Sequence, residues 1–403
     1  MTVNNALFKK YWAELLIYLF LIYYAINEGI IRAGKEDFRT FLGAASALYH
    51  HSNIYFQYAH DGEGGQMPYA YLPFFAMILI PFQILFSNKV IVFLWLMFNI
   101  LLIHRIIRIV SFEFEWKSYQ PFIFLLFLLS ARFIMHNFDL AQMSIFWVYL
   151  MVEAFYQSEI KKRVVLPCSL IALGIAVKFM PLLMLYYWFL KIQWKQILMT
   201  ILFTVVLIGS PYLFFPMDYI HRQFLDCWKV INPFQSGFNF QILDHATQGL
   251  PSIMAFYTQF FELNLNEFQT NLWILLSRAV LLGWIALIYL SHKKVEHRNF
   301  ILLSLCTLAA SLFMPHQQHY SFFSAVAVYA LWSYWLIQKK RCSKVALGLF
   351  IFSGLLMICT SDIFVGSEWK SIFRTYKTIG LGSIVLILAT HVQVIALSKR
   401  NEH

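Results

Sequence analysis

Two acidic residues, Glu36 and Asp37, head a polar and aromatic stretch whose spacing predicts a short helix over residues 38–49. A carboxylate at that point faces the positive end of the helix and stays available as an acceptor, so either residue suits the removal of a proton from an attacking hydroxyl. The plainer reading of Asp37 is a helix N-cap. Further along, Lys178 stands alone between two apolar runs, flanked by Val177 and Phe179. A cation placed there calls for an anion, or for a path by which its stem reaches water. Asn137, Asp139 and Gln142 form a second polar cluster that can bind a ligand, assist Asp37, or cap the next helix. His316 and His319 have an i, i+3 spacing, too weak a pattern to argue for a metal, and two interfacial histidines are the better reading. No metal or other cofactor is expected.

Aromatic residues surround these groups. Gly62-Glu-Gly-Gly65 leads into Tyr69-Ala-Tyr71-Leu-Pro73 and then Pro81-Phe82. The glycines loosen the chain, and each proline forces its predecessor out of helical geometry. Rings beside a proline suit the face of a sugar, an isoprenoid chain, or the aromatic belt of a bilayer interface. The segment 217–270 mixes Trp228, Asn239, Gln241, His245 and Gln248 with Gly249-Leu-Pro251, a composition that suits carbohydrate.

The elements that must position these residues are apolar. Sixty per cent of the 403 residues are hydrophobic and only 13 per cent are charged. A soluble domain carries about 25 per cent charged residues, so lipid has to cover the excess apolar surface. The net charge of +11 sits in short clusters between apolar runs and not along one basic face, which excludes a nucleic-acid partner. The five cysteines are scattered and imply neither a disulfide framework nor a zinc site.

Spans are predicted near 11–31, 90–110, 121–135, 143–157, 164–177, 181–190, 196–216, 271–291, 299–313, 321–338, 344–360 and 378–397. Lys9 and Lys10 precede the first, which reads as a retained signal anchor. The apolar stretch 69–86 decides the topology. If it crossed, the clusters Lys161-Lys162-Arg163 and Lys339-Lys340-Arg341 would lie outside, against the positive-inside rule. If it lies in one leaflet, every tight basic cluster is cytoplasmic. Both termini are then cytoplasmic, and the segments 32–89, 136–142, 217–270, 314–320 and 361–377 share the outer side of a plasma (inner) membrane. The chain reads as one all-α integral membrane domain, residues 1–403, a helical bundle of about twelve spans, with an amphipathic surface helix in its first outer loop.

The order Asp37-Phe38, Phe41, Ala44-Ala45, Asn53-Ile-Tyr55, Tyr69-Ala-Tyr71-Leu-Pro73, Pro81-Phe82 and Leu94-Trp95 with Asn99 resembles the GT-C superfamily. More closely it is similar to glycosyltransferase family 87, the polyprenol-phosphate-mannose-dependent mannosyltransferases. Asn137-Phe-Asp139-Leu-Ala-Gln142, Gly174-Ile-Ala-Val-Lys178-Phe-Met-Pro181 and Pro315-His316-Gln-Gln-His319-Tyr320 continue the resemblance. Ala141 stands where the family usually has Gly, Ser144 where it has Asn, and Phe179 where it has Pro.

The resemblance implies an inverting transfer of a hexose, mannose in the family, from a polyprenyl-phosphate donor to an extracytoplasmic glycan or lipid. Asp37 is then the general base. Lys178 neutralises the departing phosphate, with Arg222, His319 and Arg132 as further phosphate candidates. Glu36, Tyr69, Tyr71, Asn137, Asp139, Gln142, Asn239, Gln241 and His316 are candidates for sugar or acceptor binding. The competing reading is a transporter or lipid-linked-sugar flippase, which Glu14, Glu153 and Arg278 within apolar runs would serve. An oligosaccharide polymerase or ligase would be expected to use several arginines in a large outer loop, and 217–270 offers Arg222 alone.

Overall fold

The computed structural model describes residues 2–31, 37–55, 69–116, 119–231, 246–263, 265–314, 317–358 and 360–400. Among these every regular element is helical. Contacts gather the chain into two compact units. The first holds Met1–Glu115, Tyr119–Phe127 and Ile134–Phe238, the second Trp116–Ser118, Leu128–Phe133 and Asn239–His403.

The first unit contains α1 (Thr2–Ile26), α2 (Asp37–Tyr49), α3 (Pro73–Leu85), α4 (Asn88–Phe114), the two ends of α5 (Tyr119–Asp139), α6 (Ser144–Phe155), α7 (Val165–Val177), α8 (Leu183–Leu190), α9 (Trp194–Gly209) and α10 (Met217–Ile231). α4 packs on α1 and α6, α6 on α7, and α7 on α9, while α3 lies against α2, α7 and α9. The second unit contains α11 (Leu250–Phe260), α12 (Glu267–Ser291), α13 (Arg298–Phe313), α14 (Val326–Ser333), α15 (Lys344–Ile358), α16 (Asp362–Thr375) and α17 (Thr378–Arg400).

Six described helical stretches are long and apolar enough to cross a membrane: Asn88–Phe114, Tyr119–Asp139, Trp194–Leu213, Glu267–Ser291, His319–Lys339 and Thr378–Lys399. Each coincides with a span expected from the sequence. The remaining expected spans also fall on helices, several of them short, such as Val165–Val177 and Lys344–Ile358. α3 covers the stretch that decides the topology. Its 13 residues, opened by Pro73 at the first helical position, rise only about 20 Å, less than the hydrocarbon thickness.

Burial separates lipid-facing from core helices. In α9 only Thr200 is buried, while Leu198, Leu202, Val205 and Val206 are exposed. An apolar helix bare to its surroundings is stable where those surroundings are hydrocarbon. α13 is the opposite case, buried from Phe300 to Leu312. Its hydroxyls bond inward, with Ser304 donating to the Phe300 carbonyl (2.7 Å) and Ser311 to that of Ser321 (2.7 Å). α15 and α17 meet at Gly382, where a Cβ would come within 2.7 Å of Met357 Cγ, and Ser353 donates to the Gly382 carbonyl at 2.8 Å. Small residues and a hydroxyl let two apolar helices approach closely.

The ionisable residues inside apolar runs are engaged by the fold. Arg105 donates through Nε and Nη2 to both oxygens of buried Glu153 (2.8 and 3.0 Å), and Gln157 adds a third bond to that carboxylate. Glu14, also buried, accepts from Tyr119 (2.6 Å) and lies 3.4 Å from Arg108. Arg278 donates to the Phe313 carbonyl at 2.9 Å, at the negative end of α13, with its guanidinium over the Phe313 ring.

Candidate functional site

Asp37 is the first residue of α2; its side chain and the whole of Glu36 lie outside the described residues. The helix buries Phe38, Phe41, Leu42, Ala45 and Leu48 at i, i+3, i+4 and i+7 spacing, and exposes Arg39. From its first turn an unbroken series of rings runs through the unit. Trp95 of α4 meets Phe38 (6.3 Å between centroids), Phe38 meets Phe41 (5.8 Å), and Phe41 meets Tyr71 edge-on (4.8 Å). Tyr71 then meets Tyr69 (5.6 Å), and Tyr69 meets Tyr55 (5.7 Å). Edge and offset contacts of this kind add about 0.5–1.5 kcal/mol per pair to the burial itself. They tie the start of α2 to the segment leading into α3.

Lys178 joins this series. α7 ends where Lys178 turns extended, its N–H still bonded to the Gly174 carbonyl at 2.7 Å. Pro181 folds back on Gly174 so closely that a Cβ there would lie 2.7 Å from Pro181 Cγ. That turn carries the Lys178 ammonium to 5.4 Å from the centroid of the Tyr71 ring, within cation–π range.

The polar cluster after α5 reaches the same rings. Ala141 adopts φ +47, closing a tight turn in which the Gln142 N–H donates to the Asn137 carbonyl at 2.9 Å. Asn137 and Gln142 are buried. The indole of Trp95 donates to the Gln142 carbonyl (3.4 Å), so one side chain touches both this turn and Phe38. Asp139 accepts a short hydrogen bond from the Tyr24 hydroxyl and lies 3.9 Å from His136.

α10 splints the loop between α2 and α3. Tyr219, Gln223, Asp226 and Cys227 form one face of this helix. The Tyr219 hydroxyl donates to the Ser52 carbonyl (2.6 Å), and Gln223 Oε1 accepts from the Ile54 N–H (3.0 Å). Asp226 accepts from the Asn53 amide (2.7 Å), and Asn53 Oδ1 accepts from the Tyr55 N–H (2.8 Å). Beneath them the Tyr55 hydroxyl donates to the Tyr71 carbonyl at 2.8 Å, which the Cys227 thiol also approaches. Burial pushes the Tyr55 and Tyr69 hydroxyls well above the ordinary phenol range, and the Cys227 thiol up to about 11 against a small opposing effect of its bond to Tyr55. These groups hold their protons near neutral pH. Their contacts brace the segment leading into α3. Arg222 is on the same helix, exposed.

In the second unit His319 is buried and meets the Arg374 guanidinium, Nε to Nε2 at 3.2 Å and Nη2 to Nδ1 at 3.4 Å. The buried Gln248 side chain donates to the Arg374 carbonyl at 3.0 Å, and its own N–H donates to the Gln317 carbonyl at 2.7 Å. Asn239, Gln241 and His316 lie outside the described residues.

A family model described as glycosyltransferase family 87 matches residues 69–315, more than half of the chain. The chain belongs to glycosyltransferase family 87. No curated protein and no solved structure matches it. Membership makes the chain a membrane glycosyltransferase, in keeping with its several membrane-length apolar helices. Within the family match lie Tyr69, Tyr71, Asn137, Asp139, Gln142, Lys178, Arg222, Asn239 and Gln241; Glu36, Asp37, His316 and His319 fall outside it.

Of the residues singled out in the sequence, Tyr69, Tyr71 and Lys178 converge with the head of α2, and Trp95 ties Asn137 and Gln142 to them. Reading the sequence missed the α10 face, Trp95 as the link, and Arg374. The first had a signal, since Tyr219, Gln223 and Cys227 recur at intervals of four in a segment treated as loop. Arg374 had none, because its partner is 55 residues away.

Proposed function

We propose that this family 87 enzyme moves a hexose, mannose by the resemblance, from a polyprenyl-phosphate donor to a glycan or lipid acceptor, with Asp37 as general base. The observation that supports this best is the ring series from Phe38, the neighbour of Asp37, to Tyr71, over which the Lys178 ammonium sits. It couples the head of α2 to a cation suited to a departing phosphate.

In this mechanism the acceptor hydroxyl attacks the anomeric carbon opposite the phosphate oxygen. Asp37 takes the hydroxyl proton as the new C–O bond forms. The old C–O bond breaks with its electron pair leaving on the phosphate, so the anomeric configuration inverts. A phosphate leaves as a stable anion and needs neutralisation more than protonation, which is the role of Lys178, with Arg222 and His319 as further contacts. Glu36, Tyr69, Tyr71, Asn137, Asp139 and Gln142 serve the sugar or acceptor, together with Asn239, Gln241 and His316. About twelve spans set in a plasma membrane, both termini cytoplasmic, put α2 and α3 at the outer face, with α2 lying in the interface.

The transporter reading loses its support. Glu14, Glu153 and Arg278 are each bonded within the fold and hold helices together. The decisive experiment is sugar transfer by the purified protein in liposomes, with polyprenyl-phosphate-mannose and polyprenyl-phosphate-glucose as donors. Turnover abolished by Asp37→Asn is the expected result. Full transfer by Asp37→Asn sinks the assignment of the base, and lipid movement between leaflets without turnover favours the flippase.

A further inference from the structure

The C-terminal ends of three membrane-length helices meet in the second unit: Glu267–Ser291, His319–Lys339 and Thr378–Lys399. Trp284 donates to Nδ1 of His391 at 3.0 Å, and the His391 ring meets that of His292 with 6.0 Å between centroids. Glu296, just beyond α12, pairs with Lys339 at 2.9 Å and accepts from the Tyr334 hydroxyl at 3.0 Å. Gln393 of α17 is buried and ties down the turn after Lys339. Its side-chain amide donates to the Arg341 carbonyl (2.7 Å), and its oxygen accepts from the Ser343 N–H (2.9 Å).

The ends of spanning helices lie at the headgroup level of a bilayer. The segments gathered at this level, residues 292–298, 339–344 and 391–400, hold nine basic residues and one acidic, Glu296. Lys339 takes up Glu296. The turn that follows is fixed through its backbone. Lys340 is left-handed (φ +49), the Arg341 N–H bonds to the Trp335 carbonyl at 3.3 Å, and the Ser343 carbonyl opens α15 by accepting from Leu347 at 2.9 Å. Lys340, Arg341 and Lys344 are exposed on this backbone, and among the described residues none of the three has an ion pair. Directly beyond Lys344 the exposed stripe of α15 turns apolar, with Val345, Gly348, Phe352 and Leu355 at helical spacing. A Cβ built on Gly348 would meet nothing within 4 Å. A rigid basic turn at headgroup level above an open apolar stripe matches a molecule with an anionic head and a hydrocarbon tail.

We infer that Lys340, Arg341 and Lys344 form a binding surface for an anionic phospholipid, with an acyl chain along Val345, Gly348 and Phe352, and that Gln393 positions the turn. In the topology proposed above this is the cytoplasmic end, and the inference does not depend on the sugar-transfer reading. The test titrates delipidated full-length protein in a neutral detergent with fluorescent phosphatidylglycerol or phosphatidylcholine, followed by anisotropy. Phosphatidylglycerol is expected to saturate, to bind more tightly than phosphatidylcholine, and to weaken as salt is raised. Joint replacement Lys340→Gln, Arg341→Gln and Lys344→Gln is expected to cost about 5-fold per charge, about 100-fold in all. Lys161→Gln, Lys162→Gln and Arg163→Gln together remove the same charge from the first unit and are expected to stay near wild-type affinity.

Equal loss in both triple variants makes the binding an effect of net charge and overturns the inference, as does undiminished affinity in the first. Gln393→Leu keeps every charge and is expected to lose part of the affinity; an unchanged value removes the positioning role. Displacement of the lipid by glycerophosphoglycerol at matching concentrations removes the acyl-chain contact. Polyprenyl monophosphate that binds more tightly than phosphatidylglycerol, and is lost in the same triple variant, overturns the phospholipid assignment in favour of the donor lipid. Each variant must match the wild type in elution profile and melting temperature without added lipid. Should the first triple variant fail that check, Arg341→Gln and Lys344→Gln decide singly.

Discussion

The Lys178 ammonium lies 5.4 Å from the centre of the Tyr71 ring, and that ring is itself fixed edge-on against Phe41 of α2. The electron-rich face of the ring attracts the ammonium and helps to fix its position. Replacing Tyr71 by Leu removes a contact of about 0.5–2 kcal/mol, so the donor KM should rise roughly 2–30-fold. Steady-state kinetics with varied donor test this. An unchanged KM would mean that the ring does not position the ammonium.

Asn53 and Asp226 carry the bond that fastens α10 to the loop after α2. Asp226→Leu should lower stability by about 1.5–3 kcal/mol, the range for a hydrogen bond to a charged group. Asp226→Asn, which keeps an acceptor oxygen, should cost less. A double-mutant cycle with Asn53→Ala, read from melting temperatures in detergent, isolates the pair; a coupling energy near zero would refute it.

Ala141 sits at φ +47 in the turn that positions Gln142. A left-handed conformation costs a residue with a Cβ about 1–2 kcal/mol relative to glycine. Ala141→Gly should therefore leave stability unchanged or raise it by about 1 kcal/mol, after the greater flexibility of the unfolded glycine is offset. A clear fall in melting temperature would show that the turn is not strained.

The Cys227 thiol, raised by burial to about 11, makes alkaline stability testable. Its folded value lies above that of the unfolded thiol. The associated stability is thus fully present below about pH 8.5 and is lost as pH rises toward 11. Cys227→Ala should lose less melting temperature than the wild type between pH 8 and pH 10.5. At pH 7.5 a maleimide should label Cys227 only after unfolding; rapid labelling of the native protein would contradict its burial.

Glu153 and Arg105 offer a test against the transport alternative. Glu153→Ala leaves the arginine without its fork partner and should destabilise the protein by about 2 kcal/mol. Transfer activity per folded molecule should stay near wild type. A variant of full stability that has lost activity would put Glu153 in the substrate path.

The helices were legible because twenty or so consecutive apolar residues have few alternatives in a bilayer. Each expected span falls on a helix. Spacing also exposed α2, since its buried positions recur with helical period. The charged residues within spans could not be read this way. Glu14, Glu153 and Arg278 look alike in sequence whether they transport an ion or bond to a neighbour, and their partners lie 35 to 105 residues away. The same distance hid the α10 face, whose four contacts with residues 52–55 and 71 span more than 150 residues.

The sequence by itself determined the class: an all-helical membrane chain, its apolar runs, and an ordered set of motifs specific enough to point to one family. Those properties are local or additive, because hydrophobicity, turn chemistry and residue order are all written along the chain. Tertiary structure alone decided which residues meet. That Trp95 touches both Phe38 and the turn at Gln142, that Lys178 comes to rest on Tyr71, and that Arg374 is gripped by His319 depends on how helices pack. Packing is set by the joint fit of many side chains distant in sequence, which no stretch of residues encodes on its own.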